Sequence, residues 1–297
     1  MNELRSDFVR RFFLDVFHVP DGTEYLECIY HYTTANVLER FLAEDGDLLC
    51  THYRALNDDS EFREGFERVL QYARKMKWNA NLLYRIRKLG DHFNEKDIFM
   101  PWIFSFSLHN DMLSQWIGYT DQKDGGYAIG FDIGQLRKLT EEKNKISQKT
   151  PTKVVLNCVY SDVDDVDAKL DEISLDSDLT SYVHSDHLVM EKEAKLLFVV
   201  MLMSSMIKEK SFFQESETRL LLFVDDEKLY RDVISIGGKP RMKANLSEKP
   251  GYLRDLIKSV VISPHGNQNS LYSNALSLKR KYSLGYSIAT SASHYRG

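Results

Sequence analysis

Three groups of polar and aromatic residues, far apart in the chain and each beside a predicted strand, could carry chemistry. They are Tyr30-His31-Tyr32-Thr33, then Ser105-Phe106-Ser107 with Trp116 and Tyr119, and then Glu215-Ser216-Glu217-Thr218-Arg219. The first group supplies an imidazole, the second hydroxyls and flat rings, and the third carboxylates beside a guanidinium. These residues are the candidate site, and the elements around them must bring them together.

In the third group, the two-residue period of a strand predicts Glu215, Glu217 and Arg219 on one face. One interpretation is a carboxylate held by Arg219 and aimed into a cleft. The alternative is an acid–arginine pairing at an exposed sheet surface, which contributes roughly 0–1 kcal/mol. His31, between two tyrosines on an apolar strand, is likewise either a hydrogen-bonded core histidine or a site residue.

The chain is organised around residues 101–132, whose pattern predicts a strand, a polar corner, a short helix, a Gly-rich loop and a second strand. Asn110 or Asp111 is expected to cap the short helix, because a short side-chain oxygen accepts from its free amide groups. Gly130, inside the second strand, is expected to permit the close approach of another backbone or a ligand.

The same stretch predicts either one wall of a pocket or a packed core corner. Strand alternation places Ser105 and Ser107 on one face, with the neighbouring phenylalanines on the other. Trp116 and Tyr119 are three residues apart on the helix and therefore project from one side. If a cleft exists, the two serines face it, the phenylalanines pack, and the two aromatic rings on the helix stack on a ligand.

Other site chemistries lack their motifs. No Gly-x-Ser-x-Gly elbow surrounds Ser105 or Ser107, so a serine hydrolase is disfavoured. Neither a P-loop nor a dinucleotide fingerprint is present. The nearest set of metal ligands is His184 and His187 with Asp186 on a polar loop, and no metal site is predicted.

Composition narrows the class of protein. The formal charge of −5 over 297 residues argues against a general nucleic-acid binder, which needs a surplus of Lys and Arg. The three cysteines, Cys28, Cys50 and Cys158, are far apart and odd in number, which favours reduced thiols in the cytosol. The most apolar run, 196–207, is too short to span a bilayer. We therefore expect a cytoplasmic protein without a membrane interaction.

The order of elements predicts one α+β domain over residues 1–297, built on a central mixed or antiparallel sheet. An amphipathic helix is predicted at 4–17, and helical insertions are predicted at about 57–98 and 161–208. Six short strands are expected between the helices. Outside the central stretch they lie at 28–32, 48–52, 153–160, 212–224, 256–263 and 282–289.

A series of motifs, in order along nearly the whole chain, carries a family resemblance. They are Tyr30-His31-Tyr32-Thr33, Leu56-Asn57-Asp58 with Glu61, Phe104-Ser105-Phe106-Ser107, Leu113-Ser114-Gln115-Trp116 with Tyr119, Gly126 through Gly130-Phe131, Glu215, Glu217 and Arg219, and Ser291 with His294-Tyr295-Arg296. This set resembles the bacterial domain-of-unknown-function family 2971. That resemblance implies no established activity.

A looser resemblance is to the mono-ADP-ribosyltransferase fold, whose elements occur here in the order His31, Ser105 with Ser107, and Glu215 with Glu217. It implies that NAD is the substrate and that Glu217 stabilises the oxocarbenium-like state formed when the nicotinamide–ribose bond breaks. Glu215 and His31 are the other implied catalytic residues. The implied NAD-binding residues are His31, Tyr32, Thr33, Ser105, Ser107, Trp116, Tyr119 and Arg219.

Two hypotheses for function follow. The first is an NAD-consuming enzyme that transfers ADP-ribose or hydrolyses NAD, as a toxin or anti-phage effector. The second is a non-catalytic module of a bacterial defence complex that recognises a nucleotide or a protein partner. The first requires His31, Ser105 and Glu217 to converge on one cleft.

Overall fold

The computed structural model describes residues 27–56, 61–91, 101–146, 152–161, 166–172, 177–185, 190–223 and 233–293. These residues form a mixed α/β fold around a central mixed sheet, so the sequence-based fold class is confirmed at that level. Four predictions lie outside the described residues. They are the helix at 4–17, the motif residues Asn57 and Asp58, the potential ligands Asp186 and His187, and the closing motif at 294–296.

The described chain contains twelve strands and ten α-helices. The strands are β1 (Cys28–Thr34), β2 (Leu49–His52), β3 (Pro101–Ser107), β4 (Gly126–Asp132), β5 (Thr152–Asn157), β6 (Val159–Tyr160), β7 (Ile207–Lys208), β8 (Glu217–Phe223), β9 (Val233–Ile236), β10 (Lys239–Lys243), β11 (Ile257–Ile262) and β12 (Ser287–Thr290). The α-helices are α1 (Ala35–Leu42), α2 (Glu61–Lys75), α3 (Ala80–Asp91), α4 (Leu113–Tyr119), α5 (Ile133–Ile146), α6 (Val166–Glu172), α7 (Ser177–Val183), α8 (Met190–Met206), α9 (Leu253–Leu256) and α10 (Gln268–Lys281). Two 3₁₀ segments span Tyr53–Ala55 and Lys210–Glu215.

The described strands pair into one large sheet and one small pair. The large sheet has the order β12-β11-β4-β1-β3-β2-β10-β9, and β8 pairs with both β3 and β5. Its described pairs are antiparallel except for β11 with β12, which makes the sheet mixed. β6 and β7 pair separately and in parallel.

The sheet divides at β3. β8 pairs with β3 along its whole length and so occupies one edge of that strand. On the other edge, Tyr30 of β1 pairs with Ser107, and Thr51 of β2 pairs with Ile103. Because a strand has only two edges, β1 and β2 share the second one and diverge between these contacts. We call this divergence the fork.

Strand alternation builds a hydrophobic core on each face of the sheet. Phe104 and Leu220 point to the core that packs on α1 and α10. Ile103 and Leu221 point to the opposite core, which packs on α2 and α8. Each fully buried Leu or Phe side chain contributes about 1.5–3 kcal/mol relative to exposure, so both faces of β3 and β8 are firmly held.

A close approach is present at Gly130 in β4, but it is not made by another backbone as predicted. A Cβ added at this position would overlap the hydroxyl of Ser259 and the ring of Tyr30. The close approach is therefore made by side chains of the two neighbouring strands, β11 and β1.

The predicted strand over 212–224 begins later than expected. Lys210–Glu215 forms a 3₁₀ segment, and Ser216 then turns the chain with a left-handed φ of 42° before β8 begins at Glu217. The prediction that Glu215 shares a strand face with Glu217 and Arg219 is therefore wrong. A single turn residue breaks the two-residue period on which that prediction depended.

The predicted helix cap is also wrong. The N-cap of α4 is Met112, and no side chain caps this helix. The carboxylate of Asp111 instead accepts hydrogen bonds from the indole of Trp116 and from the hydroxyls of Ser291 and Ser293. Asp111 thus joins the central corner to the chain after β12, which sequence proximity does not reveal.

Candidate functional site

A cavity of about 650 Å³ lies at the fork. Its volume is within the range of about 300–1,000 Å³ that is typical of small-molecule sites. Seven of the ten predicted site residues line it, and they come from all three sequence groups. These residues are His31, Thr33, Ser105, Tyr119, Glu215, Glu217 and Arg219. The divergence of β1 and β2 opens the space that brings them together.

Tyr32, Ser107 and Trp116 do not line the cavity, which corrects the expectation that they face a ligand. The hydroxyls of Tyr32 and Ser107 donate to main-chain carbonyls at 2.9 and 2.8 Å. The indole nitrogen of Trp116 donates to Asp111 at 2.7 Å, and its side chain is fully buried against Tyr32. These three side chains hold the corner in shape, as the packed-corner alternative predicts.

Two cations and three carboxylates form a nearly solvent-free network on one wall of the cavity, which we call the ionic cluster. Its members are Glu61 at the start of α2, Lys208 in β7, Glu215, and Glu217 and Arg219 in β8. Buried charges are tolerated only when they are paired and hydrogen-bonded, and each member has at least one charged partner here.

Glu217 is the centre of the ionic cluster. Its Oε1 accepts from Nε of Arg219 at 2.9 Å, and its Oε2 accepts from Nζ of Lys208 at 2.6 Å and from a second Arg219 nitrogen at 3.0 Å. Arg219 also donates to the carboxylate of Glu61 and to the carbonyl of Ser205. Both oxygens of Glu217 are therefore engaged within the protein.

Paired charges keep Glu217 and Lys208 ionised despite their burial. Burial by itself raises the pKa of Glu217, but the charges of Arg219 and Lys208 outweigh it and lower that pKa to about 2. Burial lowers the pKa of Lys208, yet the nearby carboxylates, Glu217 first, leave it above its ordinary value. At neutral pH Glu217 is an anion and Lys208 is a cation.

Tyr119 and Glu215 form the more open side of the cluster. The hydroxyl of Tyr119 donates to Oε1 of Glu215 at 2.8 Å, while Oε2 of Glu215 accepts from Lys208 at 2.6 Å. Burial and then the charge of Glu215 raise the pKa of Tyr119, so this phenol stays protonated. The side chain of Tyr119 is 40% exposed, which leaves its ring accessible to a ligand.

His31 spans the fork. Its Nδ1 lies 3.0 Å from the carbonyl oxygen of Ser105, in the gap where neither β1 nor β2 pairs with β3. Burial lowers the pKa of His31 to about 4, against a smaller opposing effect of this hydrogen bond, and its ring lies 4.3 Å from that of Phe104. A carbonyl can only accept, so Nδ1 carries the proton of the neutral ring. Nε2 is then a hydrogen-bond acceptor.

Sequence reasoning missed Lys208 as a site residue. It follows directly after the apolar run 196–207, and the sequence patterns assign it no role. It is 5% exposed, and its Nζ donates to two carboxylates. The available signal was the position itself, because a lysine adjoining a buried segment needs a charged partner nearby.

The fold and the cavity together define a mixed α/β protein with a ligand-sized cavity, lined in part by charged residues, where its sheet divides. Residues 115–220 match a family described as protein of unknown function (DUF2971), and the family resemblance is thereby confirmed. The similarity to that family covers this region of the chain. The region contains α4, β4 and most of β8, and so Tyr119, Lys208 and Glu217. No curated protein and no solved structure matches the chain significantly.

Among the residues that the structure describes, no helix is both long and apolar enough to cross a membrane. The His, Cys, Asp and Glu side chains of the same residues form no group of three or more that could hold a metal ion.

Proposed function

We propose that this protein binds NAD in the cavity and cleaves its nicotinamide–ribose bond, by hydrolysis or by transfer of ADP-ribose. One observation carries the proposal: His31, Ser105 and Glu217, from three strands far apart in sequence, line one cavity. The finer fold assignment, an ADP-ribosyltransferase-like sheet, is part of this proposal. It is supported by the direct pairing of β3 with both β1 and β8, which carry the other two residues.

The chemistry divides among residues of the cavity. The bond from ribose C1′ to the nicotinamide nitrogen breaks, and nicotinamide leaves with the bonding electrons. Water or an acceptor then attacks C1′ and loses a proton. The side chains of Glu217 and Glu215 stabilise the positive charge that develops on the ribose. Nε2 of neutral His31 accepts a hydrogen bond from a ribose hydroxyl. The accessible ring of Tyr119 stacks on nicotinamide.

A second candidate is a non-catalytic module that binds a nucleotide without turnover. The geometry of Glu217 favours it, because Lys208 and Arg219 already engage both of its oxygens. Under this alternative the ionic cluster is a structural wall, and Tyr119 and His31 make the ligand contacts. The predicted place in a toxin or defence system stays a prediction under either candidate.

Nicotinamide release measured by chromatography, together with NAD binding measured by calorimetry, tests the two candidates. An enzyme releases nicotinamide, and Glu217→Gln slows release by roughly 10²–10³-fold, the usual cost of losing an electrostatic stabiliser. Glu142→Gln is the matched control, since Glu142 is an exposed residue of α5 outside the cavity. Binding without release supports the module instead. A folded Glu217→Gln variant with wild-type turnover contradicts the proposed mechanism.

A further inference from the structure

The wall of the cavity formed by β10 is basic. Lys239, Arg241 and Lys243 alternate along this strand and all line the cavity. Arg241 pairs with Thr51 of β2, which in turn pairs with Ile103 of β3, so the row of side chains continues across the sheet. Residues two apart on a strand are separated by roughly 6.6–6.8 Å. Three cations at this spacing form a continuous positive stripe.

Arg241 differs from Arg219, the arginine of the ionic cluster. Its side chain is half-buried, and burial lowers its pKa from the ordinary value. It forms no side-chain hydrogen bond or ion pair with any residue that the structure describes. Lys243, the next cation on the stripe, donates to the main-chain carbonyl of Asp45 and to no described carboxylate.

Asp47 does not pair with Arg241. Asp47 lines the same end of the cavity, but its carboxylate accepts from the hydroxyl of Tyr252 at 2.7 Å and from the amides of Leu48 and Asn245. A half-buried guanidinium without a partner is costly, and the compensation is an anion. The planar fork of arginine fits the paired oxygens of a phosphate better than a point charge does.

We propose that the β10 wall is an anion subsite that takes the phosphoryl groups of a phosphorylated ligand, with Arg241 as the principal contact and Lys239 and Lys243 beside it. Three cations along one strand suit a diphosphate better than a single phosphate. The subsite does not depend on NAD cleavage, because any phosphorylated ligand of the cavity would use it.

Calorimetric titration of the full chain with inorganic pyrophosphate and with ADP tests the subsite. Wild type binds both, and affinity falls as salt rises because the contacts are ionic. Arg241→Gln weakens binding at least about tenfold. Arg280→Gln removes the same charge from an exposed position of α10 outside the cavity and leaves affinity unchanged.

Thermal unfolding of the ligand-free variants separates recognition from structure. Because Arg241 has no partner in the described protein, Arg241→Gln unfolds at the wild-type temperature or higher, and Arg241→Lys retains part of the pyrophosphate affinity. The proposal is overturned if wild type does not bind pyrophosphate or ADP, or if Arg241→Gln binds them as wild type does. Pyrophosphate binding without NAD turnover keeps the subsite and rejects the enzyme.

Discussion

The cavity has an arginine on each of two walls, and their surroundings are opposite. Arg219 donates to Glu217, to Glu61 and to the carbonyl of Ser205. Arg241 donates to no described residue through its side chain. Arg219 is therefore required by the folded protein itself, whereas Arg241 is available to a ligand.

The two walls of the cavity differ in charge. The ionic cluster contains three carboxylates and two cations, a formal excess of one negative charge. The β10 wall presents Lys239, Arg241 and Lys243. A ligand with a positive ring at one end and phosphates at the other is oriented by these two walls. Under our proposals the nicotinamide ring of NAD lies by the cluster and its diphosphate lies by β10.

Replacing Arg219 by methionine should have the largest effect on the free energy of unfolding, and the same replacement at Arg241 is the comparison. Arg219→Met leaves Glu217 and Glu61 buried without a major partner and lowers the free energy of unfolding by about 3–5 kcal/mol. Arg241→Met removes an unpaired charge and leaves the free energy of unfolding unchanged or slightly raised. Urea denaturation of the ligand-free variants measures both. Equal losses for the two variants would remove the distinction between the walls.

Replacing His31 should have a smaller effect on the free energy of unfolding, and this effect should depend on pH. Its pKa is about 4 in the folded protein and 6.5 ordinarily, so the unfolded chain takes up the proton first as pH falls. The contribution of neutral His31 to the free energy of unfolding is complete above pH 6.5 and is lost as pH falls toward 4. The loss between pH 7.5 and 4.5 is about 2 kcal/mol. Glu217, whose pKa is lowered to about 2, contributes its own loss only below pH 4.5.

Urea denaturation at a series of pH values checks this. Between pH 7.5 and 4.5 His31→Gln should lose less stability than wild type, by the His31 contribution. The control is His184→Gln, because His184 is exposed. If wild type and His31→Gln show the same pH slope, the neutral, buried state of His31 is refuted.

Tyr119→Phe should give the smallest effect. The substitution removes the hydroxyl and its hydrogen bond to Glu215, at the more open side of the cluster. This loss lowers the free energy of unfolding by about 0.5–1.5 kcal/mol. The aromatic ring remains, so stacking on a ligand is kept. Denaturation should show the small loss, while calorimetry should show NAD affinity within about threefold of wild type. A loss as large as that of Arg219→Met would make Tyr119 an integral member of the cluster.

Much of the fold was predictable from local patterns. Alternating residues identified β3 and most of β8, and the glycine in β4 indicated the close approach around Gly130. The site was predictable as three sequence groups, since seven of the ten named residues line one cavity. These features depend on periods of two or on single residue types, which a sequence displays directly.

The rest depended on contacts between distant residues. Ser107 and Trp116 have the right types for a ligand wall, but a carbonyl from residue 215 and the carboxylate of Asp111 engage them. Lys208 belongs to the site because its side chain pairs with Glu217 in the folded protein. Arg241 lines the cavity because β10 pairs with β2 rather than with its sequence neighbours alone. Composition and spacing carry no record of such pairings.

The central position of β3 also sets the order in which the chain can fold. One edge of β3 is filled by β8, whose residues lie about 110 positions later in the sequence, as in the pairing of Ser107 with Glu217. During synthesis that edge stays open until β8 has emerged, and pairings over such separations are slow. β8 also delivers Glu217 and Arg219. The strand that fills this edge of β3 therefore also supplies two members of the ionic cluster, so a chain truncated before β8 lacks both.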